Sequence, residues 1–423
     1  MVKESESMTA RGSKLEEILD FCVSLARDMV MSGANLERVS LGIERICRSY
    51  GLSEVSLFLL SNYVSLGARD EEGRYAYRQM SIPAADIHLQ RLKQLNRMSY
   101  VVAEDRISPD SLQKLLERAR RGREYPDWAI LLARMCAMSC LCLIFGGWIR
   151  EVIIVMAATA ALHGTMHLFS RVGLDRVVIN AATMFLVAAV AILLNKTPLR
   201  GDSAVIFITI SLFLIPGIPL VNAVRNMLCG NEMNGILQFL KVVIETMALG
   251  VGLYLALWIL GGHSDMSNPV VKSITNPFLL VVLSFLASAS FGVNFRIGVH
   301  DLWLAGLGGA LTRVVFLLLT SGVANRLVYV SVAALFASLY AEILATKRKD
   351  PSTYFVYPSI IPLIPGDLFY YSLLGLYIKD QAMFEMNSVR CILTLFGMSI
   401  GFVVNSFLTH YWRKMRYIIR QKG

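Results

Sequence analysis

From Asp127 onward the chain is a succession of apolar runs separated by short polar links, each run long enough to cross the roughly 30 Å of a bilayer's hydrocarbon. The runs lie near 127–146, 149–169, 177–195, 203–222, 236–260, 276–293, 299–319, 327–345, 353–376 and 388–411, which makes ten. Lipid offers no partner to backbone N–H and C=O groups, so apolar segments of this length must be α-helices. Of all residues 55% are hydrophobic and 17% charged, against about 25% charged in soluble domains. That excludes a cytosolic enzyme and predicts a polytopic α-helical membrane protein.

Residues 1–126 are of another kind. They hold 19 Lys+Arg and 18 Asp+Glu, a net of +1, so nearly all of the chain's +10 belongs to the apolar region and its edges. Basic residues gathered on one polar face, the mark of a nucleic-acid binder, are not seen. Within this head, residues 14–50 predict two helices broken at Ser32-Gly33, with Asn35 capping the second. Alternation over Glu54–Leu60, then Tyr63–Ala68 and Arg74–Ile82, predicts a short antiparallel sheet. Helices near 84–103 and 108–122 complete a small α+β domain. Met1 to Asp20 has no apolar core of signal-peptide type, so the head is expected to stay in the cytoplasm. Seven cysteines without a CxxC or a Cys/His spacing predict no metal, disulfide or cofactor.

Lys114, Arg118, Arg120, Arg121 and Arg123 precede the first span; Arg413, Lys414, Arg416, Arg420 and Lys422 follow the last. Ten is even, so both basic ends lie on one face, the cytoplasmic one by the positive-inside rule. The expected division is a head (1–126), a first five-helix unit (127–262), a second (275–412) and a basic cytoplasmic tail (413–423).

Two spans are interrupted in the same way. Ile215-Pro216-Gly217 and Ile364-Pro365-Gly366 stand 149 residues apart, each in the fourth span of its five. Pro-Gly within lipid frees backbone groups that survive only against protein or a water-lined cavity. Five is odd, so the second unit is expected to be inverted relative to the first, and matching breaks in inverted halves point to a transporter's midplane site.

Ser32-Gly33-Ala34 with Arg38-Val39 and Tyr50-Gly51, the run LIPGIPLVNAVRN (214–226) and PSIIPLIPG (358–366) resemble the threonine/serine exporter family of bacterial inner membranes. The likeness covers the head and both halves, and resembles the fused form of systems that elsewhere occur as two proteins. It implies export of small hydroxy amino acids, threonine and serine, driven by protons. Some two-component relatives are associated with dicarboxylate export. The family's first run often continues to Asp where this chain has Asn226, so no proton-carrying role is expected there.

In the residues themselves, a helix starting just after Gly217 aims unpaired N–H groups at the break beside Pro216, an anion site. With Asn222 and Arg225 it is expected to take a substrate carboxylate. Pro365, Gly366 and Asp367 form the second break, where Asp367 is suited to an ammonium group or a proton. Glu245 and Arg313, read as an inter-helix pair, serve either as structural glue or, with Asp367, in proton coupling. Arg134, His163, His167, Lys241, Glu342 and Arg390 are the other ionisable residues in the spans; charge there is costly and by default functional, against which Lys241, Glu342 and Arg390 also read as side chains that snorkel to an interface. The rival readings are a dicarboxylate exporter and a hydrolase or ligand-sensing head that the spans merely anchor. The sequence leaves the oligomeric state open, a homo-oligomer included.

Overall fold

The computed structural model describes residues 2–83, 87–120, 124–170, 175–214, 217–260 and 274–422, and the chain divides into two compact units. The first joins Met1–Tyr125 to two short stretches from far along the chain, Phe295–Val299 and Glu342–Phe355. The second comprises Pro126–Asn294, His300–Ala341 and Val356–Gly423.

In the first unit α1 (Val2–Met31), longer than expected, is followed by α2 (Leu36–Ser49) and by β1 (Ser53–Leu59), β2 (Tyr63–Arg69) and β3 (Tyr75–Ser81). Asn35 makes the expected cap, its side chain accepting the Glu37 N–H at 2.9 Å. The sheet is antiparallel in the order β1-β2-β3, with Leu57 opposite Leu66 and Ser65 opposite Gln79. Central β2 buries Val64, Leu66 and Ala68 together with Leu19, Cys22, Leu25 and Ala26 of α1, which forms the core. The head closes with α3 (Leu89–Asp105) and α4 (Pro109–Arg120). The expected start of α3 near 84 falls on residues 84–86, outside the described ones.

The start of α3 is where the two distant stretches attach. A helix's first N–H groups have no partner in their own helix; here Leu89 and Gln90 donate to the carbonyls of Phe295 and Arg296 at 2.9 and 3.0 Å. One turn on, Lys93 and Arg97 pair with Asp350 at 2.8 and 3.0 Å, and the Asp350 side chain has no exposed surface. Tyr354 ties the stretches together, its hydroxyl accepting from Gly298 N–H and donating to Gln90. Arg38 of α2 pairs with Glu342 at 2.8 Å. His88 caps α3 through Nδ1, and burial, reinforced by Arg91 and Arg296, holds its pKa down to about 4, so the neutral ring does the capping.

The second unit runs α5 (Asp127–Ile144), α6 (Ile149–Ser170), α7 (Arg176–Asn195), α8 (Ser203–Leu214), α9 (Gly217–Leu228), α10 (Glu232–Leu260), α11 (Pro277–Asn294), α12 (Leu302–Thr320) and α13 (Arg326–Arg348), whose last turns belong to the first unit. It ends with α14 (Thr353–Ser359), whose residues up to Phe355 belong to the first unit, α15 (Gly366–Ile378) and α16 (Gln381–Lys422). Among the described residues eight helices are long and apolar enough to cross a membrane, and two bent pairs, α8 with α9 and α14 with α15, raise the number to ten if each is one span. Helix α10 starts earlier than expected, at Glu232. Helix α16 does not stop at the expected end of the last span near 411 but continues as helix through the basic tail to Lys422.

Several contacts recur at the same spacing. A Cβ at Gly252 of α10 would meet the Ala181 carbonyl and the Phe185 N of α7; one at Gly401 of α16 would meet the Ser331 carbonyl and the Leu335 N of α13. Gly230 after α9 and Lys379 after α15 both take left-handed backbone, with φ of 81° and 60°. The next residues, Asn231 and Asp380, donate N–H to the carbonyls of Asn226 and Gly375, each at 2.9 Å. Gly252 and Gly401, like Gly230 and Lys379, are 149 positions apart, as the Pro-Gly breaks are.

Candidate functional site

The two breaks bend their helix pairs by 55° and 43°. Pro216 lies outside the described residues. The second break accounts for its own backbone: a 3-10 turn over Ile361–Leu363 precedes it, and Gly366 donates N–H to the Ile364 carbonyl at 2.9 Å around Pro365 (φ −83°, ψ 52°), the geometry of an inverse γ-turn. Asp367 stands in the first turn of α15, where its carboxylate would itself favour the positive end of the helix.

The breaks meet one another. A Cβ at Gly217 would come within 2.5 Å of the Ile364 side chain, and one at Gly366 would overlap Leu212 of α8. Each break thus uses its glycine to admit an apolar side chain of the other. Gly366→Ala is expected to cost about 1–3 kcal/mol through overpacking and to lower the yield of monodisperse protein. Leu212→Ala, which removes the colliding atoms, is expected to restore it; size-exclusion profiles of the single and double variants are the check.

Beside this contact lies a cavity of about 870 Å³. Its wall from α5 and α8 is apolar: Leu141, Ile144, Phe145, Ile208 and Leu212. All its charge comes from the later helices, as Arg313 (α12), Arg326 (α13), Asp367 (α15) and Asp380, which caps α16 by accepting the Met383 N–H at 2.9 Å. Both guanidinium groups are steadied by hydroxyls. Arg313 Nε donates to Ser284 at 3.1 Å and Arg326 Nε to Thr394 at 2.8 Å. Both are half-buried, and among the described residues neither makes an ion pair within 4 Å. Tyr371 and Asn387 add neutral polar groups to the lining.

The residues expected at the first break go elsewhere. Asn222 donates to the Tyr357 hydroxyl of α14 at 3.2 Å, and Arg225 lies 5.8 Å from the ring centre of Phe402 on α16. Neither lines the cavity, so the expected division into an anion-binding first half and a cation-binding second half gives way to a second half that carries both signs. Glu245 is half-buried on α10 and makes no pair with Arg313 among the described residues. Arg134 bridges helices, reaching Asn294 on α11 and His163 on α6 at 3.0 and 3.1 Å. Glu342 serves the head through Arg38. Arg326, Asp380, Ser284 and Thr394 were not singled out by the sequence. Arg326 and Asp380 stand at helix starts, where a charge reads as an ordinary interface residue.

Broken helices that meet beside a charged cavity within a multi-pass helical unit define a membrane transporter. Two family profiles match the chain, one described as a putative threonine/serine exporter over residues 20–260 and one as threonine/serine exporter, ThrE, over residues 280–408. The chain belongs to the threonine/serine exporter family. Among individual proteins it is similar to two that are each called a probable succinate transporter subunit YjjP. The one from Klebsiella aerogenes is 24% identical over 259 residues, which is 60% of this chain and 98% of that protein. The one from Escherichia coli K12 is 27% identical over 245 residues, 57% of this chain and 93% of that protein. No solved structure matches the chain.

Proposed function

We propose that this protein is a secondary active exporter of small hydroxy amino acids, threonine and serine, across the bacterial inner membrane, coupled to protons and with both termini in the cytoplasm. The observation that carries the reading is the cavity beside the meeting breaks, in which Arg313 and Arg326 share one space with Asp367 and Asp380. A zwitterion needs both signs. Its carboxylate goes to the arginines, its ammonium to Asp380, and its hydroxyl to the Asn387 or Tyr371 side, while Asp367, between two cations and the substrate, is the proton site. The recurrence of break, left-handed cap and glycine contact at one spacing supports two inverted five-span halves in which each bent pair is one span. With the termini inside, Arg326 and Asp380 stand at the external ends of α13 and α16, and the cavity runs outward from the breaks.

Two arginines in one cavity also favour a second reading, export of a dicarboxylate, which the naming of the two relatives supports. Efflux decides between them. Cells loaded with a threonine dipeptide are expected to export threonine in proportion to the amount of this protein, and to lose that export on deletion or with Asp367→Asn. Succinate efflux that tracks expression while threonine efflux does not selects the dicarboxylate, and unchanged efflux of both removes the transporter reading.

A further inference from the structure

The charged cavity is built on one side of the breaks. Its lining comes from the last turns of α5 and α12, the first turns of α11, α13 and α16, and from α8, α15 and the second break. Among the described residues none of it comes from α9 or α14, the other halves of the two bent pairs. In a chain of ten spans, α8, α15 and those helix ends fall on one face of the membrane. Helix α9 and residues 356–359 of α14, which belong to the second unit, fall toward the opposite face.

Past the breaks the packing closes. Ile218, Val221 and Ala223 of α9 are buried, and so are Tyr357, Ser359 and Ile360. Asn222 donates its side-chain amide to the Tyr357 hydroxyl at 3.2 Å, a bond from the far half of one broken span to the far half of the other. Arg225, one turn along on the same face of α9, lies 5.8 Å from the ring centre of buried Phe402 on α16, within reach of a cation–π contact. The chemistry of the Asn222–Tyr357 contact suits a seam that parts. A neutral hydrogen bond contributes little net, because water replaces each partner when it breaks. Apolar groups in its place would be exposed to water at every opening.

We propose that α9 and residues 356–359 of α14 form a gate on the side of the membrane opposite the cavity, with Asn222 and Tyr357 as its latch. The proposal rests on the transporter reading, holds for either substrate, and places the gate on the cytoplasmic side in the orientation given above. With the latch made, the cavity is open outward and shut inward. Export needs the reverse state, in which the latch breaks and substrate from the cytoplasm passes between α9 and Tyr357 to reach the breaks.

Ile218 stands one turn before Asn222 on the same face of α9, between latch and break, and is buried. A side chain there meets water only when the gate opens. In inverted membrane vesicles carrying the full-length Ile218→Cys protein, alkylation of that site by a charged maleimide, mapped by peptide, is expected to be slow. Adding Tyr357→Phe or Asn222→Ala is expected to speed it roughly two- to tenfold, the range for one neutral hydrogen bond. Both together are expected to add little to either alone, since they remove the same bond. With Asn222→Cys and Tyr357→Cys in one chain, a short reversible bis-methanethiosulfonate bridge is expected to stop threonine uptake into the vesicles, and a thiol reductant to restore it; either substitution alone is expected to leave the reagent without this effect. Alkylation that neither Tyr357→Phe nor Asn222→Ala changes, or uptake that continues through a mapped bridge, overturns the gate and leaves the transporter reading standing. Wild-type vesicles that take up neither threonine nor succinate overturn that reading, and the gate with it.

Discussion

Replacing Arg326 by glutamine is expected to lower threonine efflux roughly ten- to hundredfold, the loss that follows from one hydrogen-bonded charge contact worth about 1.5–3 kcal/mol. The amount of protein in the membrane is expected to be unchanged, as measured by quantitative blotting of the same cells. Arg326 is half-buried, held by Thr394 through Nε, and paired with no carboxylate among the described residues. An arginine that served stability alone would be partnered, since a buried charge without a counter-ion is expensive. On the proposed reading its outer nitrogens take the substrate, and glutamine keeps length and polarity while removing the charge. The exposed Lys241→Gln on α10 is the control, expected to leave efflux unaltered. An Arg326→Gln protein that exports normally would remove Arg326 from the site and leave Arg313 as the carboxylate ligand.

The second large effect is expected on stability. Asp350→Ala leaves the buried Lys93 without its counter-ion, while Arg97 keeps access to water, and removing one partner of a buried pair costs about 3–5 kcal/mol. For a unit of this size that corresponds to a fall in melting temperature on the order of 10 °C, read by a thermal scan of the purified full-length protein. The triple change Lys93→Met, Arg97→Met, Asp350→Leu is expected to recover most of the loss, because apolar groups of similar volume replace buried ion pairs at little or no cost. Equal melting of Asp350→Ala and wild type would mean that the cluster is satisfied by solvent and does not hold the head to residues 342–355.

The positions of the spans were legible because hydropathy over about 20 residues is a local property that lipid enforces. The expected starts and ends of α5, α6, α7, α11 and α12 fall within a few residues of those observed. Asn35 as a cap and the three strands were legible for the same reason, since the alternation and the capping residue stand next to what they control. The two breaks could be located because Pro-Gly in an apolar run violates a strong rule, and doing so twice at one spacing is informative.

Contacts between distant residues were not legible. Asp350 closes the link Lys347-Arg348-Lys349-Asp350, which reads as solvated charge, yet its side chain is wholly buried against Lys93 and Arg97, more than 250 positions earlier. Nothing periodic in either segment announces that meeting. The same holds for the cavity: Asn222 and Arg225 are near the first break in sequence and point to other partners, whereas Arg326 and Thr394 are brought to the site only by the packing of α13 against α16.

The two stretches that the head gathers have a bearing on energetics. Residues 295–299 and 342–355 belong to the head's unit, but their counterparts 149 positions earlier, 146–150 and 193–206, belong to the other. In a cycle where two inverted halves trade conformations, a perfect pseudo-twofold would make the outward and inward states isoenergetic, with each half of the population in either. Among the described residues the stretches grouped with the folded head are 295–299 and 342–355, held through the buried Asp350 cluster and the carbonyls of Phe295 and Arg296. In an exporter of the proposed kind that asymmetry would lift the degeneracy, and contacts outside the spans would set the bias of the resting equilibrium.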